Sequence, residues 1–304
     1  MDSFPDGSPA ALSNAACGAW LKPLIDAKWH DMHAVVPRGF PAYVRIFHPA
    51  WRDRPEDTRT WHGHEAPSEC GMEDEVVGWS AVAEAFGKQM HALAQFDRLP
   101  GPKTPSMGSL DAAGWRYSSP DLGNLAPDVL AAAAIHLCDH TGTPDQGVTA
   151  VWNGWGGLGS SAGYVELSFS EGAADGQFVA GTATVGEGPG SGLLPAEVVN
   201  GEALDLPGRS YYLFSTGPRF YTHPGWVNHA PWHHSPDSPQ SPNILWPADR
   251  TWVLVSEIDL DSTVVAGSRE LIAALAQDPA IEALVVQEGA DLSWDADIPN
   301  RPVD

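Results

Sequence analysis

Apolar and polar positions alternate along Tyr43 to His48, with Tyr43, Arg45 and Phe47 on one side and Val44, Ile46 and His48 on the other. A period of two predicts a strand. The next stretch, Arg52 to Glu75, is charged and broken by prolines and glycines, and it reads as a loop. From Trp79 to Phe96 the period lengthens. Trp79, Val82, Phe86, Met90 and Leu93 recur at three- and four-residue spacing, which predicts an amphipathic helix with Gly87 as a break in its pattern. A second helix is predicted over Pro127 to His140. Pro127 suits a first turn, Val129, Leu130, Ala133 and Leu137 form the apolar stripe, and Gly142 with Pro144 ends it.

Strands then dominate. Val148–Asn153, Gly163–Ser170, Gln177–Val185 and Ser210–Ser215 are β-rich runs closed by Gly or Pro. Ser215 to Asp249 carries seven prolines and reads as irregular. Thr251–Leu260 is the clearest strand of the chain. A short loop, a helix over Ser268–Gln277, a stop at Pro279 and a last strand at Ala283–Gln287 follow it. Consecutive strands argue for an α+β fold rather than a doubly wound one. The expectation is a mixed or mostly antiparallel sheet, about three packed helices and long Pro/Gly-rich loops. One globular domain would span 1–304, with 1–15 and 298–304 as flexible ends.

Composition narrows the function classes. The chain has 304 residues, 13 Trp and 43% hydrophobic residues, enough for a sizeable core. Its 39 acidic residues against 16 Lys and Arg leave a net charge of −23. The lysines are Lys22, Lys28, Lys88 and Lys103, with none beyond. Such a surface repels phosphate backbones and anionic membranes, so neither nucleic acid nor membrane is an expected partner. No stretch approaches the ~18 apolar residues of a membrane span, and Met1–Ala10 has no signal-peptide pattern; the expected location is cytoplasmic. Cys17, Cys70 and Cys138 are too sparse for a disulfide framework or zinc knuckle. Cys138, inside an apolar helical pattern, reads as a small packing residue.

Three stretches have a familiar look: Pro37–Trp51 (PRGFPAYVRIFHPAW), His140–Gly156 (HTGTPDQGVTAVWNGWG) and Leu245–Ser268 (LWPADRTWVLVSEIDLDSTVVAGS). They resemble a group of uncharacterised hypothetical proteins common in actinobacterial genomes, and the likeness runs over most of the chain. That group carries no assigned activity, cofactor or catalytic residue. The resemblance therefore implies a bacterial, cytosolic protein and leaves its function to the residues.

Several patterns could carry chemistry. Gly154-Trp155-Gly156-Gly157-Leu158-Gly159 matches GxGxxG, but a dinucleotide site needs a helix after it, and Tyr164–Phe169 alternates like a strand. Gly159-Ser160-Ser161-Ala162-Gly163 matches GxSxG without the strand-to-helix elbow that strains a nucleophilic serine. His136 and His140 share a helix face, where a metal helix would also need the missing Glu at 137. His62 and His64, near Glu69 and Cys70, form an HxH pair in a loop.

The most unusual segment is 221–237. It holds His223, His229, His233 and His234, with Trp226 and Trp232, between prolines at 218, 224, 231 and 236. Its tryptophans suit a ligand-binding lid over a cleft. Alternatively, His223, His229 and His233, with Asp237, suit a divalent metal such as zinc, whose bound water would serve a hydrolase. On the strand Thr251–Leu260, Glu257 and Asp259 share a face that Asp261 continues. They are the candidate acid–base pair, or else they pair with arginines. The leading expectation is a binding module for a small molecule or protein, with the Trp/Pro/His-rich loop over its cleft. The alternative is a metal-dependent hydrolase with Glu257 as base. No catalytic motif is complete, so sequence alone leaves open whether the chain is an enzyme.

Overall fold

The computed structural model describes residues 8–61, 71–103, 108–159, 163–167, 183–187, 192–233 and 240–301. In chain order its strands are β1 (Ala10–Ala11), β2 (Ala42–Phe47), β3 (Ala50–Pro55), β4 (Met72–Val77), β5 (Ser109–Leu110), β6 (Arg116–Ser118), β7 (Gly147–Trp152) and β8 (Gly163–Leu167). They continue with β9 (Ala183–Glu187), β10 (Leu204–Leu206), β11 (Arg209–Ser215), β12 (Ile244–Pro247), β13 (Val253–Ser256), β14 (Ser262–Gly267) and β15 (Ala283–Val286). The α-helices are α1 (Trp79–Ala85), α2 (Pro127–Asp139), α3 (Ala196–Val199) and α4 (Arg269–Gln277). With the 3-10 segments added, helices exceed the expected three. No described helix is long and apolar enough to cross a membrane.

Nine strands form the main sheet in the order β1-β11-β7-β12-β13-β14-β2-β15, with β10 also paired to β11. Every described pairing is antiparallel. The α+β expectation holds, in its mostly antiparallel form. A smaller sheet runs β4-β3-β6-β5, and β8 pairs with β9.

Both faces of the main sheet are buried. One face sends Val44, Ile46, Val151, Phe214, Leu254 and Val265 into a core shared with α2 and α4. The alternate positions Tyr43, Val148, Ala150, Leu213, Val253 and Val264 pack on the other side, against the 3-10 segment Ala16–Leu24 and the residues that follow it. A strand covered on both faces has no polar period to read. β14 is buried at all six positions, and its run Ser262–Gly267 escaped the sequence reading for that reason.

Three other departures have local causes. The helix expected over Trp79–Phe96 ends at Ala85. The Lys88 N–H reaches the Ala83 carbonyl at 2.8 Å, the Gly87 N–H reaches Glu84 at 3.2 Å, and Gly87 takes φ +63°, which together form a Schellman stop. The charged stretch from Arg52 to Glu75 contains most of β3 and β4, not a loop throughout. Arg52 stands opposite Glu75 and Arg54 opposite Glu73, so its charges satisfy one another across the ladder. Within the proline-rich stretch lie two 3-10 segments, Pro218–Tyr221 and Pro224–His229, and the strand β12. The expected flexible ends carry contacts where they are described: Ala10 and Ala11 pair with β11, and Asn300 is buried and bonded to Asp297.

Candidate functional site

The site with the richest chemistry gathers where β10, β11 and β13 meet the N-terminal segment. Leu206 and Arg209 pair across the two-residue turn Pro207–Gly208, and Gly208 takes φ +83° at the position that a type II turn reserves for glycine. Arg209 thus opens β11 at the sheet margin. From there its Nη2 reaches Glu257 Oε1 at 2.9 Å and Asp259 Oδ2 at 2.5 Å. Its guanidinium carbon lies 5.7 Å from the centre of the Trp152 ring.

The two carboxylates do not stand on a strand face as expected. β13 stops at Ser256, and Glu257 to Asp261 form the turn into β14, closed by the Leu260 N–H on the Glu257 carbonyl at 3.0 Å. Glu257 is only 9% exposed. Burial pushes its carboxyl above the usual range, and the Arg209 guanidinium opposes that shift in part. Tyr211, one strand position from Ser210 on β11, is raised too, chiefly by burial and then by the Glu257 charge. Asp261 leaves the group and pairs with Arg45 at 3.3 Å. All three carboxylates are therefore committed to arginines, and Glu257 and Asp259 share one.

Around them opens a pocket of about 230 Å³ whose wall includes Asp26, Lys28, Trp29, Arg209, Glu257 and Asp259. Asp26 is paired with Arg38. Lys28 forms no ion pair with a described residue, and Trp29 is 44% exposed. Sequence reading found the two acids here but not Arg209, Lys28 or Trp29. The only local cue was an arginine placed directly after a Pro-Gly turn.

The histidine-rich loop is built otherwise than expected. Trp226 and Trp232 are fully buried in the core beside α2, so they are packing residues and not the ligand-binding face of a lid. Trp226 lies 5.3 Å from Tyr221 and Trp232 lies 4.7 Å from Phe214, centre to centre. His223 accepts the Gly225 N–H at 2.9 Å and so caps the turn that starts at Pro224. His223, His229 and His233 do not join one another, or any other described His, Cys, Asp or Glu, in a group of three able to hold a metal ion. His234 and Asp237 lie outside the described residues.

The remaining motifs fare as follows. His136 pairs with Asp278 at 2.7 Å, and His140 Nδ1 donates to the His136 carbonyl at 2.8 Å, so the two rings serve different partners. Cys138 is half-buried and its thiol is pushed up to about 11 by burial, which suits packing rather than nucleophilic attack. After the glycine turn at 154–159 the next described element is the strand β8, where a dinucleotide site needs a helix. His62, His64, Glu69, Cys70, Ser160 and Ser161 lie outside the described residues. No family model, no curated protein and no solved structure matches the chain.

Proposed function

We propose that the protein is a binding module for a small zwitterion, an amino-acid-sized molecule held at the Arg209–Glu257–Asp259 pocket. One observation carries the reading: charges of both signs and an exposed indole line a single small pocket. Glu257 and Asp259 offer carboxylates to a ligand ammonium, Lys28 offers an uncommitted ammonium to an acid group, and Trp29 offers a flat apolar surface. A volume of about 230 Å³ is below that of most drug-sized sites and suits a ligand of few heavy atoms.

The preformed ion pairs support recognition more than turnover. Arg209 already fixes the Glu257 carboxyl in position, so little reorganisation is needed when an ammonium arrives. Charge-assisted hydrogen bonds contribute ~1.5–3 kcal/mol each, and two with a stacked indole place the dissociation constant at roughly 0.1–1 mM. Calorimetric titration with a panel of amino acids, matched amines and matched acids tests this. The zwitterions should bind, and Glu257→Gln should weaken them about tenfold or more. If simple amines or acids bind as tightly as zwitterions, or if the substitution changes nothing, the reading is wrong. The hydrolase alternative gains no supporting observation from the described histidines.

A further inference from the structure

A second cavity, of about 320 Å³, lies where β2 passes into β3, and its wall includes His48, Trp51, Val76, Ala126, Asp121 and Asp128. It shares no lining residue with the pocket at Arg209. Trp51 and Val76 stand directly opposite each other on β3 and β4, and they are 46% and 54% exposed. Leu122, next to the lining Asp121, is exposed as well. Two large apolar side chains, Trp51 and Val76, are thus left in water on the wall of one hollow, on a protein whose surface is otherwise strongly acidic. Clustered exposed apolar groups at a concavity mark a contact site rather than ordinary surface.

Charge decides what would fill it. Asp121 and Asp128 are exposed, and among the described residues the lining holds no Lys or Arg. His48 supplies no positive charge. Its Nδ1 donates to the Asp121 carbonyl at 2.7 Å, which can only accept, so Nε2 is bare and accepts from the Thr263 hydroxyl at 2.9 Å. Burial lowers its pKa to about 4, which keeps the ring neutral near pH 7. The N-terminus of α2 points the other way, since a helix start carries about half a positive charge. Two carboxylates outweigh it. The hollow is therefore negative and partly aromatic, a combination that attracts organic cations through both Coulomb and cation–π terms.

We propose that this cavity binds a small organic ammonium with an apolar body, its cationic head between Asp121 and Asp128 and its apolar part against Trp51 and Val76. The test is calorimetric titration of the full chain with phenethylammonium, and with 2-phenylethanol and phenylacetate as neutral and anionic mimics. Phenethylammonium should bind and the two mimics should not, with binding weakened as salt rises. Trp51→Ala should weaken it about threefold or more, and Asp121→Asn with Asp128→Asn about tenfold. All three residues are exposed, so the variants should keep the wild-type circular dichroism and melting temperature. Glu257→Gln should leave this titration within about twofold of wild type, because the two sites are separate. Equal binding of 2-phenylethanol overturns the proposal, as does no binding of the ammonium. Loss of binding in Glu257→Gln alone would assign the cation to the Arg209 pocket and overturn it too.

Discussion

Arg45 shows how far single residues depart from their usual setting. It is 1% exposed, yet its charge is fully employed: Nε donates to Ser262 Oγ at 2.8 Å, Nη1 to the Ala94 carbonyl at 2.8 Å, and Nη2 to Asp261 at 3.3 Å. Its guanidinium lies 4.9 Å from the Phe47 ring centre and 5.4 Å from that of Trp79. Removing one partner of such a pair leaves a buried charge behind. Arg45→Met is expected to cost about 3–5 kcal/mol in urea denaturation, with part of the loss recovered when Asp261→Asn is added. No recovery would mean that Asp261 is not the group left uncompensated.

His48 makes stability depend on pH. Its folded pKa, about 4, lies below the unfolded value near 6.5, so the folded state disfavours the charged ring. Its contribution is constant above pH ~6.5, falls as pH drops towards 4, and levels off below, for a total loss of about 3 kcal/mol. Asp297 acts in the same direction at lower pH. Its burial alone would raise its carboxyl, but bonds from the Gln95 N–H, His91 and Asn300 hold it below the usual range, and that stability is lost as the group protonates. Glu257 and Asp261, raised by burial, act with the opposite sign. Comparison of His48→Gln with wild type isolates the histidine: the variant should lose stability less steeply between pH 6.5 and 4. Parallel slopes would show that the ring is not the titrating group.

At the scale of elements, the best-read pieces were those that carry their own punctuation. α2 begins at Pro127 and ends within a residue of the expected stop, because both signals are local. α1 was overextended although its stop, Gly87, stood in plain view. A Cβ at Gly87 would meet nothing within 4 Å, so only its positive φ resists substitution. Gly87→Ala is therefore expected to cost about 1 kcal/mol in chemical denaturation, and Gly87→Asn less, since Asn tolerates the left-handed region better. An unchanged midpoint for Gly87→Ala would show that the turn is not held in that conformation. β3 and β4 were missed for a different reason. Their charges balance each other across the ladder, and that balance is invisible until the register is known.

At the scale of the whole molecule, the net charge of −23 is what remains after every arginine, including those in local pairs such as Arg116–Asp53 and Arg209–Glu257, has been counted against an acid. Residual self-repulsion is screened by salt, whose Debye length falls from ~30 Å at 0.01 M to ~8 Å at 0.15 M. The melting temperature should rise by about 2 °C or more over that range. A fall would mean that the local ion pairs outweigh the net charge.

The α+β class, the acidic surface, α2, α4 and most of the main-sheet strands could be read from the chain, because each depends on residues within a few positions of one another. Folding decided the rest. Ser262 and Arg45 are 217 positions apart, and Glu257 and Arg209 are 48 apart, yet each pair is in hydrogen-bond contact. The sequence named Glu257 and Asp259 as candidates and foresaw that arginines were possible partners; it could not say which, nor that the turn after β13 would carry them. It marked Trp226 and Trp232 for a ligand-binding lid over a cleft, and only the tertiary packing beside α2 showed both side chains buried in the core. Hydrophobic period and turn chemistry act locally, whereas partner choice is set by which strands lie side by side, and that order is a property of the folded sheet.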